Sequence, residues 1–123
     1  MSDKDLSVLT EFISYLEVTR DDEWQVGIVR NLDNTKNCVI GHLVNWFYGK
    51  DHEGCISPVL DAFEERWATI YMIYPVNDGN SPSWMNHRYD QSTPKARVIA
   101  YLENLQAGRE KTTMDLTEEQ EAS

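Results

Sequence analysis

The stretch TIYMIY, residues 69–74, decides how the rest of the chain is read. Its β-branched and aromatic residues suit the pleated surface of a strand, and Pro75 stops it, so a strand is predicted there, although so short an apolar run has no period separating strand from buried helix. A strand needs a partner. WQVGIVR, residues 24–30, alternates Trp24, Val26 and Ile28 with Gln25, Gly27 and Val29, the period of a half-buried strand.

Helical patterning covers much of the remainder. Leu6, Leu9, Ile13 and Leu16 recur at three- and four-residue spacing behind a cap at Ser2 or Asp3, which predicts a helix to about Thr19. Asn37 reads as the cap of a second helix, NCVIGHLVNW, apolar around much of its girth and ended by Gly49. Ser57 and Pro58 open a third, with Val59, Leu60, Phe63 and Trp67 on one side, and Thr93 and Pro94 open a fourth through Leu105 to Gly108. The expected fold is therefore α+β: a small, mostly helical single domain over residues 1–108, with about four helices packed on a short two- or three-stranded sheet. Residues 109–123 read as an acidic tail with few apolar residues, for which disorder is expected.

Eleven basic residues against twenty-one acidic ones give a net charge of −10. That charge disfavours direct binding to a phosphate backbone or an anionic lipid surface and leaves two uses: solubility, or presentation to a basic groove on another protein. No apolar run spans a bilayer and the N-terminus is too acidic for a secretory signal, so a cytoplasmic protein is expected, its two cysteines, Cys38 and Cys55, free thiols.

Three chemical readings attach to Cys38 and His42. A thiol at a helix N-terminus feels the positive end of the helix dipole, so Cys38, helped by His42 or by His87 with Asn77 and Asp78, would suit a small cysteine-dependent hydrolase or transferase. Cys38, His42, His52 and Cys55 are chemically competent to hold zinc as a tetrahedral set, though not in the order of a standard finger. The third reading is structural: a buried thiol, a glycine at position 41 that lets another element approach, and a polar or satisfied core histidine. The segment from Val76 to Ser92 has turn dipeptides and no period, and its Asn77, Asp78, Trp84, His87, Arg88 and Tyr89 mix polar and aromatic groups as a protein interface does. No phosphate loop, dinucleotide fingerprint, nucleophile elbow or zinc-protease helix is present, and no cofactor is expected.

In the order Trp24 and Gly27, then Cys38, Gly41 and Leu43 of CVIGHL, then Asn77 and Asp78, then TPKARVIAYL, the chain resembles an uncharacterised family of small domains, a domain of unknown function in actinobacterial and phage proteins. The resemblance implies a fold and a phage or mobile-element origin and supplies no mechanism. His42 stands where that pattern has a small residue, and His52 and Cys55 have no counterpart in it. The function expected is a non-enzymatic acidic binding protein, phage-encoded, that inhibits or modulates a host macromolecule such as a nucleic-acid-binding defence enzyme. Asp21, Asp22 and Glu23 join the segment from Val76 to Ser92 as its binding residues. The partner would be a host or phage protein, with a homodimer as a further possibility.

Overall fold

A computed structural model describes residues 2–50, 52, 55–67, 70–80 and 89–110, the side chains of residues 70–72 excepted. Helix α1 (Asp3–Glu17) begins where the Ser2 hydroxyl accepts the Asp5 N–H at 3.1 Å, and it buries Leu9, Phe12, Ile13 and Leu16 along one stripe. A 3₁₀ turn, Asp21–Glu23, follows. Helix α2 (Val39–Tyr48) buries all of its first seven residues, and α3 (Ser57–Arg66) carries Pro58 in its first turn, where a missing N–H costs nothing. Helix α4 spans Ile70–Asp78, and α5 (Pro94–Gln106) starts with the Thr93 hydroxyl accepting the Ala96 N–H at 3.2 Å.

Helix α5 lies along α1 and α4, while α2 touches α1, α3 and α4. Leu9, Leu16, Leu43, Ile73, Tyr101, Leu102 and Leu105 meet where these helices converge, each with at most 2% of its surface exposed. Burying an aliphatic side chain of this size contributes about 1.5–3 kcal/mol. Trp67 closes the bottom of the core: it stacks on Phe12 with ring centroids 6.0 Å apart, meets Phe63 edge-on at 5.2 Å, and donates its indole N–H to the Asp5 carbonyl at 3.1 Å.

The α+β expectation is overturned. Among the described residues there is no strand and no sheet, and the fold is all-helical. The stretch read as a strand up to Pro75 belongs largely to α4, which runs through that proline to Asp78. Ile73, Val76 and Asn77 lie three and four residues apart and are completely buried, which a helix achieves and an alternating strand does not. Strand propensity spans only about 1 kcal/mol, and burial of that face outweighs it. Gly79 ends the helix at φ +76°, a left-handed position, with the Asn80 N–H returning to the Pro75 carbonyl at 3.0 Å.

The other expected strand fails for a different reason. Val26 and Ile28, assigned to its buried face, are 51% and 55% exposed, and Gly27 sits at φ +86°. Only isolated bridges, Trp24 to Asn37 and Arg30 to Asn37, remain of a ladder. The segment between α1 and α2 is instead a loop folded against the start of α2. Gly41 allows that approach: a Cβ there would lie 2.3 Å from Asn37 Oδ1 and 2.4 Å from the Val29 carbonyl oxygen.

Candidate functional site

The site begins at the turn after α1. Arg20 brackets the turn: its backbone N–H donates to Glu23 Oε1 at 3.1 Å, and its Nε lies 3.1 Å from Asp22 Oδ1 and 3.3 Å from Glu23 Oε1. Asp21 and Asp22 are exposed, and Glu23 is half-buried. The Glu23 carbonyl points inward, accepting the Asn37 N–H at 2.9 Å and the His42 Nε2 at 3.2 Å. A carbonyl only accepts, so Nε2 carries the imidazole proton and Nδ1 is left as an acceptor.

His42 is 2% exposed, and its ring packs on Trp24 with centroids 4.3 Å apart. Burial, with a smaller push from Lys50, drives its pKa down from 6.5 to about 4 against the opposing pull of Glu23, so the ring is neutral at pH 7. Trp24 is fixed in turn, its indole N–H donating to the Thr19 hydroxyl at 2.8 Å. Nδ1 makes no hydrogen bond with any described residue.

His42 lines a polar cleft of about 230 Å³ between α1, the 3₁₀ turn, the loop and α2. Its walls are an interlocked set of amides. Asn37 donates to Asn34 Oδ1 at 3.0 Å, Arg30 donates through Nε to Asn37 Oδ1 at 3.2 Å and through Nη2 to Asn45 Oδ1 at 2.6 Å, and Asn34 holds the Lys50 carbonyl at 2.9 Å. Tyr15, Arg20, Glu23, Thr35 and Lys50 complete the lining.

Asn77 and Asp78 form a second polar group on the other side of the start of α2. Asn77 Oδ1 accepts the Val39 N–H at 2.9 Å, and so caps α2 from another helix. Cys38 occupies the cap position without a side-chain bond, and Asn37, the cap expected from sequence, is spent on the cleft wall. Asn77 Nδ2 donates to the Gln25 carbonyl at 3.1 Å and to Asp78 Oδ1 at 3.0 Å, and Asp78 Oδ1 also accepts the Gly27 N–H at 3.1 Å. Arg97 of α5 closes the group, its Nε on the Val76 carbonyl at 3.0 Å, Nη2 on the Asn77 carbonyl at 2.9 Å and Nη1 on the Gln91 carbonyl at 2.8 Å. Arg97 was not among the sequence candidates. Its signal was there: a cation directly before Val98 and four residues before Tyr101 falls on the buried face of a helix.

Among the described residues neither the thiol nor the metal arrangement is assembled, and His87 of the thiol reading lies outside them. Cys38 is fully buried and its thiol is pushed up by burial, against a weaker opposing pull from the polar groups of Gly41, Ile40 and Tyr74 nearby. His42 turns to Glu23 and Trp24, and what joins it to Cys38 is the helical bond from its own N–H to the Cys38 carbonyl, 3.0 Å. His52 stacks on Tyr48 with centroids 4.0 Å apart, and its Nε2 lies 3.3 Å from the Cys55 carbonyl, while the Cys55 thiol is exposed. Among the described residues no three His, Cys, Asp or Glu side chains converge as a metal ion would require.

Of the remaining candidates, Tyr89 is buried, its hydroxyl donating to Glu110 Oε1 at 2.6 Å and accepting from Asn104 at 3.0 Å. Trp84, His87 and Arg88 lie outside the described residues, as do residues 111–123 of the expected tail. Glu110, placed in that tail from sequence, is 7% exposed and packs on the domain. Among the described residues no helix is long and apolar enough to cross a membrane. Comparison with family models, with curated proteins and with solved structures gave no match, so the reading of the site rests on its geometry.

Proposed function

We infer that the protein is a non-enzymatic binding protein that presents its acidic corner to a basic surface on another macromolecule. One observation carries the reading. In a chain of net charge −10, Asp21 and Asp22 stand exposed on a turn whose backbone is pinned to the core through the Glu23 carbonyl, at 2.9 Å by Asn37 and 3.2 Å by His42. Charges held on a rigid platform lose little freedom on binding, which favours them over charges on a mobile tail. The buried, proton-retaining Cys38 thiol weighs against the cysteine-hydrolase alternative, since the thiolate is the nucleophile. In its strongest form the partner is a protein whose basic groove otherwise takes nucleic acid.

The test is a capture experiment with the full chain as bait, beside an Asp21→Lys/Asp22→Lys variant, at salt of about 0.05 M and about 0.5 M. The expected result is a basic protein retained by the parent chain at low salt, released at high salt or by duplex DNA, and lost with the variant. Equal capture by bait and variant, or retention that ignores salt and DNA, refutes the acidic corner as the contact.

A further inference from the structure

Two turns hang from one residue. Asn37 donates its backbone N–H to the Glu23 carbonyl at 2.9 Å, which fixes the acidic turn, and its Nδ2 to Asn34 Oδ1 at 3.0 Å, which fixes the turn between Asn31 and Lys36. That second turn is braced throughout. Asn31 Oδ1 accepts the Thr35 N–H at 2.9 Å and the Lys36 N–H at 3.0 Å, and Asp33 Oδ1 accepts the Thr35 hydroxyl at 2.6 Å. The Asn34 N–H returns to the Asn31 carbonyl at 3.2 Å, and Asn34, at φ +55°, sets its Nδ2 on the Lys50 carbonyl at 2.9 Å. This frame carries Leu32, the most exposed large apolar side chain among the described residues. A lone exposed leucine is ordinary on a protein surface. One held on a turn whose backbone is already fixed brings apolar area to a partner with little loss of freedom.

Both turns line the same polar cleft of about 230 Å³, Arg20 and Glu23 from the acidic turn and Asn34 and Thr35 from the other. A standard protein contact covers about 800 Å² on each partner, far wider than such a cleft, so a surface seated on Asp21 and Asp22 has room to take in Leu32 as well. We propose that Leu32 is the apolar anchor of the interface at the acidic corner, and that the partner is a protein with a leucine-sized apolar pocket set in a basic surface. The inference rests on the acidic-corner reading and adds what charge alone does not supply: the charges steer the encounter, and the anchor fixes where the partner sits. Asp33, exposed and next to the anchor, extends the negative charge to the rim of the pocket, its carboxyl held below the ordinary range by the Thr35 hydroxyl. A second copy of this chain would bring a further net charge of −10 against the first, and a nucleic acid or an anionic lipid surface is repelled in the same way.

The probe is the basic fraction of an extract of the source cells, the proteins that bind a carboxymethyl resin at pH 7 and elute with salt. It is passed over the full chain and over Leu32→Ser, Leu32→Met and Val26→Ser. The last is a control at an exposed valine whose neighbour Gly27 is tied to Asp78, on the other side of the start of α2. The Leu32 side chain has no burial to lose, so circular dichroism and the urea midpoint stay those of the parent. A retained protein is expected to bind Leu32→Ser at least tenfold more weakly, by the same factor at salt of about 0.05 M and about 0.15 M because apolar burial is not screened. Leu32→Met and Val26→Ser are expected to bind within about threefold of the parent. A p-benzoylphenylalanine placed at position 32, and not one at position 26, is expected to photo-crosslink that protein. Loss with Leu32→Ser beside an unaffected Asp21→Lys/Asp22→Lys variant supports the anchor and refutes the acidic corner; the reverse pattern keeps the corner and overturns the anchor. Equal binding of Leu32→Ser and parent, a crosslink from position 32 to a second copy of this chain, or no protein retained at all overturns the proposal.

Discussion

Acidification strips a specific and calculable part of the stability through His42. Its pKa falls from 6.5 in the unfolded chain to about 4 in the folded one, because the buried ring cannot be hydrated as a cation and its Nε2 already holds a proton directed at a carbonyl. Above pH 6.5 the ring is neutral in both states and stability does not depend on it. Below that value the unfolded chain takes up a proton the folded one refuses, and stability drops by about 1.4 kcal/mol per pH unit until the folded ring itself protonates near pH 4. The total is about 3 kcal/mol, a substantial share of the roughly 5–15 kcal/mol that holds a domain of this kind together. Urea unfolding followed by circular dichroism at pH 7, 6 and 5 measures the slope. His42→Gln, which keeps an amide at the position of Nε2 and has no group titrating in that window, serves as the reference. Every other titrating group is common to the two proteins, so the difference between the curves isolates the imidazole. Parallel curves, or an imidazole that titrates near pH 6.5 by NMR in the folded protein, would refute the reasoning.

Gly41→Ala tests the close approach of the loop to α2. The helix gains about 1 kcal/mol of propensity, but the new methyl meets Asn37 Oδ1 at 2.3 Å and the Val29 carbonyl at 2.4 Å, so a net loss of about 2 kcal/mol is expected in urea unfolding; a neutral or stabilised variant contradicts it. Asn77→Ala strips the cap from Val39 and leaves the Gln25 carbonyl unpaired beside it, an expected loss of about 3 kcal/mol. Asn77→Asp keeps the acceptor, loses the donor and sets a carboxylate beside Asp78, so rescue by it in the same assay would show the cap alone to matter. Iodoacetamide on the native protein is expected to label the exposed Cys55, whose thiol is eased toward thiolate by hydrogen bonds from Ser57, and to reach buried Cys38 only after urea. Mass-spectrometric peptide mapping reads this directly, and equal labelling rates contradict a buried Cys38.

The amphipathic helices were legible because the information lies within each segment. Leu9, Ile13 and Leu16 mark the buried stripe of α1, and Thr93 with Pro94 marks the start of α5. The run before Pro75 was not legible, since an apolar segment takes the form its neighbours allow and those neighbours are helices. For the loop before α2 the neighbours decide still more. An irregular segment packed against a helix must still satisfy the peptide groups it turns away from water, and a sheet would have done so with a partner strand. Here side chains and the α2 end do it: Asn77 Nδ2 on the Gln25 carbonyl, Asp78 on the Gly27 N–H, the Cys38 N–H on the Val29 carbonyl, and His42 and Asn37 on the Glu23 carbonyl. Residues that drew attention in sequence as possible chemistry thus hold the backbone in place of a ladder. Spacing along the chain cannot announce this, because Asn77 reaches Gln25 across 52 positions and His42 reaches Glu23 across 19. The distinction between scaffold and site falls on the bonds left over. Asn77 spends both its amide atoms within the fold, whereas among the described residues His42 bonds through one ring nitrogen only, in a cleft that Lys50 also lines. By that measure the group around Asn77 and Arg97 is architecture: every polar atom it brings is spent on the backbone it holds.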